Sequence, residues 1–135
     1  MSNITQVVNT DKNMTTLKKA VHASDLDQLL SSSGPFTMFA PVNLAFEKLE
    51  QGAMDELLEP ENKAALTSLI NHHVVAGKIN FKDLKDGERL KNLQGRELLV
   101  KIMDNQVLID GALIQNHDIK TTNGVMHTVD TVLKN

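Results

Sequence analysis

The sequence predicts an α+β domain on three observations. In the first half of the chain, apolar residues recur at the three- and four-residue spacing of helices. From Arg89 onward they alternate with a period of two, as strands do. Between these regions, the segment Phe36 to Ala40 is apolar on both faces and bracketed by prolines, which is typical of a short strand buried on both sides. Helices followed by a strand-rich half favour a mixed architecture with a segregated sheet.

The length of 135 residues is that of one domain, and we predict that residues 3–135 form it. Folding a chain of this size buries roughly two thirds of the surface that the unfolded chain exposes, so no cross-link is needed. Cysteine is absent, which excludes disulfides, thiolate zinc sites and a cysteine nucleophile.

Charge and hydropathy argue against two further classes of protein. The net charge is −3, Lys and Arg are scattered, and Trp and Tyr are absent, so we expect no nucleic-acid binding. No apolar run approaches the roughly 20 residues that a membrane helix needs, so we expect no membrane insertion. Residues 1–13 lack the basic start and apolar middle of a secretory leader, although exported domains are often expressed without one.

Three short helices are predicted before the central strand. The first spans Asn3 to Thr10, and the second begins with Thr15 or Thr16 as its N-cap. Asp25 and Gln28 have the spacing of a capping box, which predicts a third helical turn. Each segment carries apolar residues on one face, so we expect all three to pack on the core.

Three more helices are predicted after the central strand. Asn43 is predicted as the N-cap of the first, because its side-chain oxygen can accept from an amide of the first turn, and Gly52 ends that run. A short acidic helix is predicted over Ala53 to Glu59, with Pro60 at the first position of the next one.

The helix after Pro60 contains two adjacent histidines. His73 continues the apolar spacing of Leu66 and Ile70, so it is predicted on the buried face. His72 points about 100° away from it, so the two rings are not expected to share a site.

Turn residues divide the second half into strands. The dipeptide Asp110-Gly111 lies between two apolar runs and predicts a hairpin with a type I′ turn. Asn123-Gly124 is predicted as a second tight turn, ahead of the final strand that begins at Val125. The preceding strands are predicted over 90–93, 97–103, 106–109 and 112–114.

Three blocks of the sequence resemble signatures of the fasciclin domain family. FTMFAPVNLAF resembles the first, an apolar strand followed by Ala-Pro-Thr-Asn and Ala-Phe, with Val42 where the family usually has Thr or Ser. HHVVAGKI (72–79) resembles the middle block, and NGVMHTVDTVL (123–133) resembles the C-terminal one. The resemblance implies a structural role for the signature residues Phe39, Ala40, Pro41, Asn43, Ala45, Phe46, His73, Asn123, Gly124 and His127.

The resemblance implies a wedge of about seven strands, flanked by N-terminal and central helices, with the Phe36 strand close to the last strand. It also implies a non-enzymatic adhesion or interaction module that binds a cell-surface or matrix protein or a glycan. We accordingly expect an extracellular, cell-surface or periplasmic location. A single domain without Cys is more typical of a bacterial or archaeal member than of an animal one.

The resemblance also implies candidate partner contacts. In animal members of the family, an Asp-Ile pair and a Tyr-His block have been implicated in integrin binding. Asp118 and Ile119 match the first, whereas in the second His72 replaces Tyr and His73 keeps the His. A structural interpretation of the same residues places Ile119 in the core and Asp118 in a turn or at a strand edge. The resemblance specifies neither the partner nor the oligomeric state.

Histidine chemistry remains an alternative. No His pair has the i, i+4 spacing of zinc proteases, no G-x-S-x-G elbow occurs, and no glycine-rich phosphate loop is present. A site assembled from His73, His127 and Asp130 competes with the interpretation that buried histidines bond carbonyls or carboxylates. We therefore predict no enzyme activity, metal site or cofactor. Two alternatives stay open: a small-molecule or lipid carrier with an apolar pocket, and a histidine-centred enzyme. The chain has five histidines: His22, His72, His73, His117 and His127.

Overall fold

The computed structural model describes residues 2–49 and 52–133, so the last two residues of the predicted domain lie outside it. The described residues form helices α1 (Ile4–Thr10), α2 (Thr15–Ala23), α3 (Asp27–Ser31), α4 (Asn43–Glu47), α5 (Ala53–Leu57) and α6 (Lys63–His72). The strands are β1 (Phe36–Pro41), β2 (Val74–Ala76), β3 (Arg89–Lys91), β4 (Glu97–Met103), β5 (Gln106–Ile109), β6 (Ala112–Leu113), β7 (Ile119–Thr121) and β8 (Gly124–Val129). Two 3-10 turns cover Pro60–Asn62 and Phe81–Asp83.

The first of two four-stranded sheets has the order β2-β1-β8-β7. Strand β1 runs parallel to β8, with Phe36 opposite Gly124 and Pro41 opposite Val129. Strands β2 and β7 pair antiparallel on the outside. The predicted proximity of the Phe36 strand to the last strand is confirmed.

The second sheet is an antiparallel meander with the order β3-β4-β5-β6. Asp110 and Gly111 have φ of 49° and 86°, and Asp104 and Asn105 have φ of 50° and 66°. Positive φ at both central residues is what a type I′ turn requires, which confirms the hairpin predicted at Asp110-Gly111. The α+β class is confirmed, with eight strands in the described residues where about seven were predicted.

Strand β1 separates two hydrophobic cores. Met38 and Ala40 point to the helical side, where they join a cluster that includes Ile70. Phe39 points the other way into a cluster that includes Leu98 of the second sheet. Every residue of β1 except the first is buried, as predicted for a strand covered on both faces.

Asn43 stabilises a helix other than its own. The N-cap of α4 is Val42, which makes no side-chain bond. The Oδ1 atom of Asn43 instead accepts from the Thr16 amide at 3.0 Å, in the first turn of α2. The N-cap of α2 is Met14, which has no side chain able to cap. The N-cap roles predicted for Asn43 in α4 and for Thr15 or Thr16 in α2 are therefore wrong.

Replacing Asn43 by Ala should lower the free energy of unfolding by about 1 kcal/mol, since the Thr16 amide loses its acceptor. Thr15→Ala is the matched control, because this exposed residue caps nothing, and its effect should stay within about 0.5 kcal/mol. Urea unfolding followed by circular dichroism measures both. Equal losses in the two variants would contradict capping across elements.

The capping box predicted at Asp25 and Gln28 is also wrong. Helix α3 begins at Asp27, and its N-cap makes no side-chain bond. Asp25 lies in the left-handed region with φ of 59°, which closes the preceding turn. Reciprocal capping bonds are instead formed by Asn3 with Gln6 and by Asn80 with Asp83.

The helix boundaries around Gly52 differ from the prediction. Helix α4 ends at Glu47, and Gly52 is the N-cap of α5 with φ of 85°. Helix α5 ends at Leu57, two residues short of the predicted end. Pro60 begins the 3-10 turn that leads directly into α6, in agreement with the predicted N-terminal position.

The turn before the last strand is shifted by one residue from the predicted Asn123-Gly124. Gly124 is the first residue of β8 and lies opposite Thr121, so residues 122 and 123 make the turn. The side chain of Asn123 is buried and ties distant elements together: its Oδ1 accepts from the Ile4 amide at 3.1 Å, and its Nδ2 donates to the Leu30 carbonyl at 2.7 Å.

Candidate interaction site

Asp118 and the segment 78–82 meet at one surface of the domain. Asp118 has φ of 57°, and its Oδ1 accepts from the Phe81 amide at 2.9 Å. Its Oδ2 pairs with Nδ1 of His117 at 3.1 Å. The hydrogen bond from the Phe81 amide, together with that from His117, holds the pKa of Asp118 below its usual value. Asp118 therefore joins its own segment to residues 78–82 through Oδ1 and orients the adjacent His117 ring through Oδ2.

His127 joins the same two segments from below. Its side chain is fully buried, and its Nε2 donates to the Ile79 carbonyl at 2.8 Å. Its Nδ1 accepts from the Asp118 amide at 3.1 Å, so the ring is neutral with its proton on Nε2. Burial lowers the pKa of His127, which keeps the ring neutral. Phe39 stacks on the ring, with centroids 5.7 Å apart. His127 thus joins the two segments through hydrogen bonds at both of its ring nitrogens.

A cleft of about 270 Å³ opens between the segments that His127 joins. We call it the lysine cleft. Three lysines line it, namely Lys78, Lys82 and Lys120. All three are exposed, and among the described residues no carboxylate lies within 4.0 Å of their ammonium groups. The cleft is lined by Lys78, Asn80, Lys82, Asp118 and Lys120.

An aromatic pair lies beside Asp118. The rings of Phe81 and His117 stack with centroids 3.9 Å apart and an angle of 16° between their planes. The Phe81 amide and the His117 ring also bond Asp118. The segment 117–120 and the 3-10 turn at Phe81–Asp83 are therefore held side by side by stacking as well as by hydrogen bonds.

The structure separates the two residues of the predicted Asp-Ile contact. Ile119 is half-buried and packs against the helical core, whereas Asp118 lines the lysine cleft. The residue after them, Lys120, lies on the outer strand β7 and is exposed. Sequence reasoning missed the three lysines because no motif marks them. Their one signal, the short spacing of Lys78 and Lys82, is common on any surface.

His72 and His73 lie inside the domain. His72 is 2 % exposed, so its side chain presents almost no surface for the predicted partner contact. Its Nδ1 accepts from Nδ2 of Asn92 at 3.0 Å, while its Nε2 is buried without a partner among the described residues. Burial lowers the pKa of His72. The two rings are 6.3 Å apart at their centroids.

His73 is fully committed to the fold. Its Nδ1 donates to the Leu69 carbonyl at 2.7 Å, and its Nε2 accepts from the Leu133 amide at 2.9 Å. Burial lowers the pKa of His73 to about 4. With both nitrogens in use, this ring has no free atom for a metal or a substrate, and the described residues contain no group of three or more His, Cys, Asp or Glu placed to hold a metal ion.

His73 should make the domain sensitive to acid. Its pKa is 6.5 in the unfolded chain and about 4 in the folded one, so the unfolded chain binds more protons between these values. Its contribution is complete above pH 6.5 and is lost as the pH falls toward 4, by about 3 kcal/mol in the free energy of unfolding. Urea unfolding between pH 7.5 and 4 measures the slope.

The matched variants for this slope are His73→Gln and His22→Gln. His73→Gln should reduce the slope by more than His22→Gln does, because His73 is buried and His22 is exposed. A slope retained in the His73 variant would show that other groups cause the acid sensitivity.

A larger cleft of about 420 Å³ lies among α2, α4 and α5. Its lining combines Phe46 and Met54 with Lys19, Glu47 and Asp55, and it is open to solvent. The carrier hypothesis calls for an enclosed apolar chamber, which this cleft is not. No helix among residues 2–49 and 52–133 has the length and apolar character to cross a membrane.

Fold and site together define a small α+β domain that presents a polar, loop-built cleft on one side of two packed sheets. The fasciclin domain model matches residues 12–135, and the chain belongs to the fasciclin domain family. The family resemblance of the three sequence blocks is thereby confirmed.

Relatives occur in bacteria and animals. Protein sll1483 of Synechocystis is 40% identical over 130 residues, which are 96% of this chain and 72% of that protein. Protein sll1735 of the same organism is 33% identical over 133 residues and is matched over 98% of both chains. Transforming growth factor-beta-induced protein ig-h3 of Sus scrofa is 35% identical over 134 residues, and this chain spans only 19% of its length.

The fold has a solved counterpart. A FAS1 domain pair from the insect cell adhesion molecule Fasciclin I matches with a TM-score of 0.88 at 18% sequence identity. The match covers 99% of this chain and 51% of that one, which is the share expected for one domain of a pair.

Proposed function

We propose that this protein is a non-enzymatic interaction domain that acts outside the cell, at the cell surface or in the periplasm. It contacts a protein or a glycan through the face formed by residues 78–82 and 117–120. The observation that carries the proposal is the lysine cleft, whose two walls are joined by the buried His127.

Rigid walls favour binding. The contacts of Asp118 and His127 hold the segments 78–82 and 117–120 in one arrangement before a partner arrives. A preformed surface loses less conformational entropy on binding than a mobile one. The three lysine ammonium groups at its rim remain free to meet a partner, because the hydrogen bonds that build the walls use other atoms.

The family supports the same function. The FAS1 domain pair with the matching fold comes from a cell adhesion molecule, and this chain spans one such domain. The alternatives have less support, because His73 and His127 use their ring nitrogens within the fold and the cleft near Phe46 is open.

The test is binding of the purified domain to an array of cell-surface glycans and surface proteins. A variant with Lys120→Glu on the proposed face is compared with Lys101→Glu on strand β4, which carries the same charge change on the other sheet. Saturable binding that Lys120→Glu weakens and Lys101→Glu preserves is the expected result. Binding that is insensitive to Lys120 but sensitive to Lys101 would place the contact elsewhere.

We further propose that residues 3–135 form one folding unit. The buried side chain of Asn123 supports this, because it bonds the first turn of α1 and the end of α3 from the turn before β8. Agreement between the calorimetric and van't Hoff enthalpies of unfolding is the expected result. Two separate transitions would contradict it.

A further inference from the structure

The lysine cleft presents hydrogen-bond donors and positive charge. Its three ammonium groups carry no ion pair among the described residues. The side-chain oxygen of Asn80 accepts from the Asp83 amide, so its NH2 group is the part left to donate. The carboxylate of Asp118 already accepts from two donors. A ligand that fits this cleft has to supply acceptors and negative charge.

The charge of the cleft contrasts with that of the whole chain. Three lysines converge on a chain whose net charge is −3. Of the neighbouring carboxylates, Asp118 bonds the Phe81 amide and Asp83 bonds the Asn80 amide at 3.2 Å, so both face backbone groups. Because the three lysines outnumber these two carboxylates, the cleft mouth carries a net positive charge, which attracts anions.

The lining also indicates the class of partner. All five residues of the cleft are polar or charged, whereas the energetic centre of a protein interface is usually an apolar or aromatic anchor in a desolvated pocket. A sugar polymer with anionic groups needs no such anchor, because its hydroxyls accept from ammonium and amide donors and its charges pair with the lysines.

We propose that the lysine cleft binds an acidic glycan, that is, a sugar polymer carrying carboxylate or sulfate groups. This inference rests on the proposed function and names the ligand class for that site. Lys78 and Lys82 contact the glycan from one wall and Lys120 from the other, while Asp118 and His127 position the walls.

The experiment measures binding of the full chain to five probes: polygalacturonate, dextran sulfate, neutral dextran, polyglutamate and a single-stranded oligonucleotide. The expected result is tighter binding to the two acidic glycans than to the other three, weakened by added salt. Carboxylate and sulfate probes identify which anionic group the cleft prefers.

The matched variants carry the same change in charge at different places. Replacing Lys78, Lys82 and Lys120 by Gln should weaken binding to the acidic glycans about tenfold or more. Replacing Lys18, Lys91 and Lys101 by Gln removes three exposed lysines that lie outside the cleft, and should change binding by less than about twofold. Thermal unfolding of both variants checks that they fold.

Several outcomes overturn the inference. Equal losses in the two triple variants would show diffuse attraction rather than a site. Equal or tighter binding of polyglutamate or the oligonucleotide would assign the cleft to a different polyanion, and binding of neutral dextran alone would remove the role of charge. Failure of every probe would also overturn it, whereas the proposed function would still stand if the array captured a protein or neutral glycan through the Lys120 face.

Discussion

Gly124→Val is expected to prevent stable folding. In the parallel pairing of β1 with β8, Gly124 lies opposite Phe36, and a Cβ atom at position 124 would overlap the Phe36 carbonyl oxygen. The same atom would lie 2.8 Å from the Phe36 nitrogen, and φ is 155°. Because the obstacle is backbone in the central strand, it cannot move aside as a flexible side chain does. Even Gly124→Ala should lower the free energy of unfolding by at least about 3 kcal/mol.

Gly52→Ala is the control, since it separates the overlap with a neighbouring backbone from the cost of positive φ. Gly52 also has positive φ, 85°, but among the described residues other than its chain neighbours no atom lies within 4 Å of a Cβ built there. Its replacement should cost about 1 to 2 kcal/mol, the ordinary cost of a left-handed side-chain residue. Urea unfolding of Gly124→Ala and Gly52→Ala gives the comparison, with circular dichroism for the Val variant. Similar losses at both positions would show that strands β1 and β8 do not approach as closely as described.

Local sequence rules succeeded where the local pattern also determines the structure. Strands β4 and β5 have the predicted bounds. Alternating apolar residues and turn dipeptides with positive φ together allow a hairpin only one register. Strand β2, over Val74–Ala76, has three residues, too few for a period of two to be recognised.

The errors arise where a side chain serves a distant element. Asn43 has the composition of an N-cap and does cap a helix, but that helix is α2, which begins 28 residues earlier in the chain. The turn before β8 was shifted because Asn123 turns inward to bond Ile4, and Gly124 is needed for close backbone approach rather than for the turn itself.

The candidate site was predicted only in part. Asp118 was singled out and does line the lysine cleft, but its oxygens serve the fold, and the free charges belong to residues that no motif marks. Lys78 and Lys120 are 42 positions apart in sequence. Their convergence depends on His127, whose bonds to Ile79 and Asp118 are a property of the assembled sheet.

Phe39→Ala is expected to lower the free energy of unfolding by about 3 to 5 kcal/mol, because the side chain is fully buried and its removal leaves a cavity in the sheet-side core. For Phe46→Ala, the loss in the free energy of unfolding should lie near the lower end of that range or below it. Phe46 is 6 % exposed and lines the open cleft among α2, α4 and α5, where solvent can fill the space.

The Phe39 variant should also affect the candidate site. Phe39 stacks on His127, so its loss frees the ring that joins the walls of the lysine cleft. Hydrogen exchange at the Asp118 amide should therefore accelerate by more than it does in Phe39→Leu, which keeps most of the volume and should cost less than about 1.5 kcal/mol. A loss below about 1 kcal/mol in Phe39→Ala would contradict the burial of the central strand. The Phe39→Ala variant could instead lose the expected stability while exchange at the Asp118 amide accelerates no more than the global loss requires. That result would show that His127 holds the cleft without support from β1.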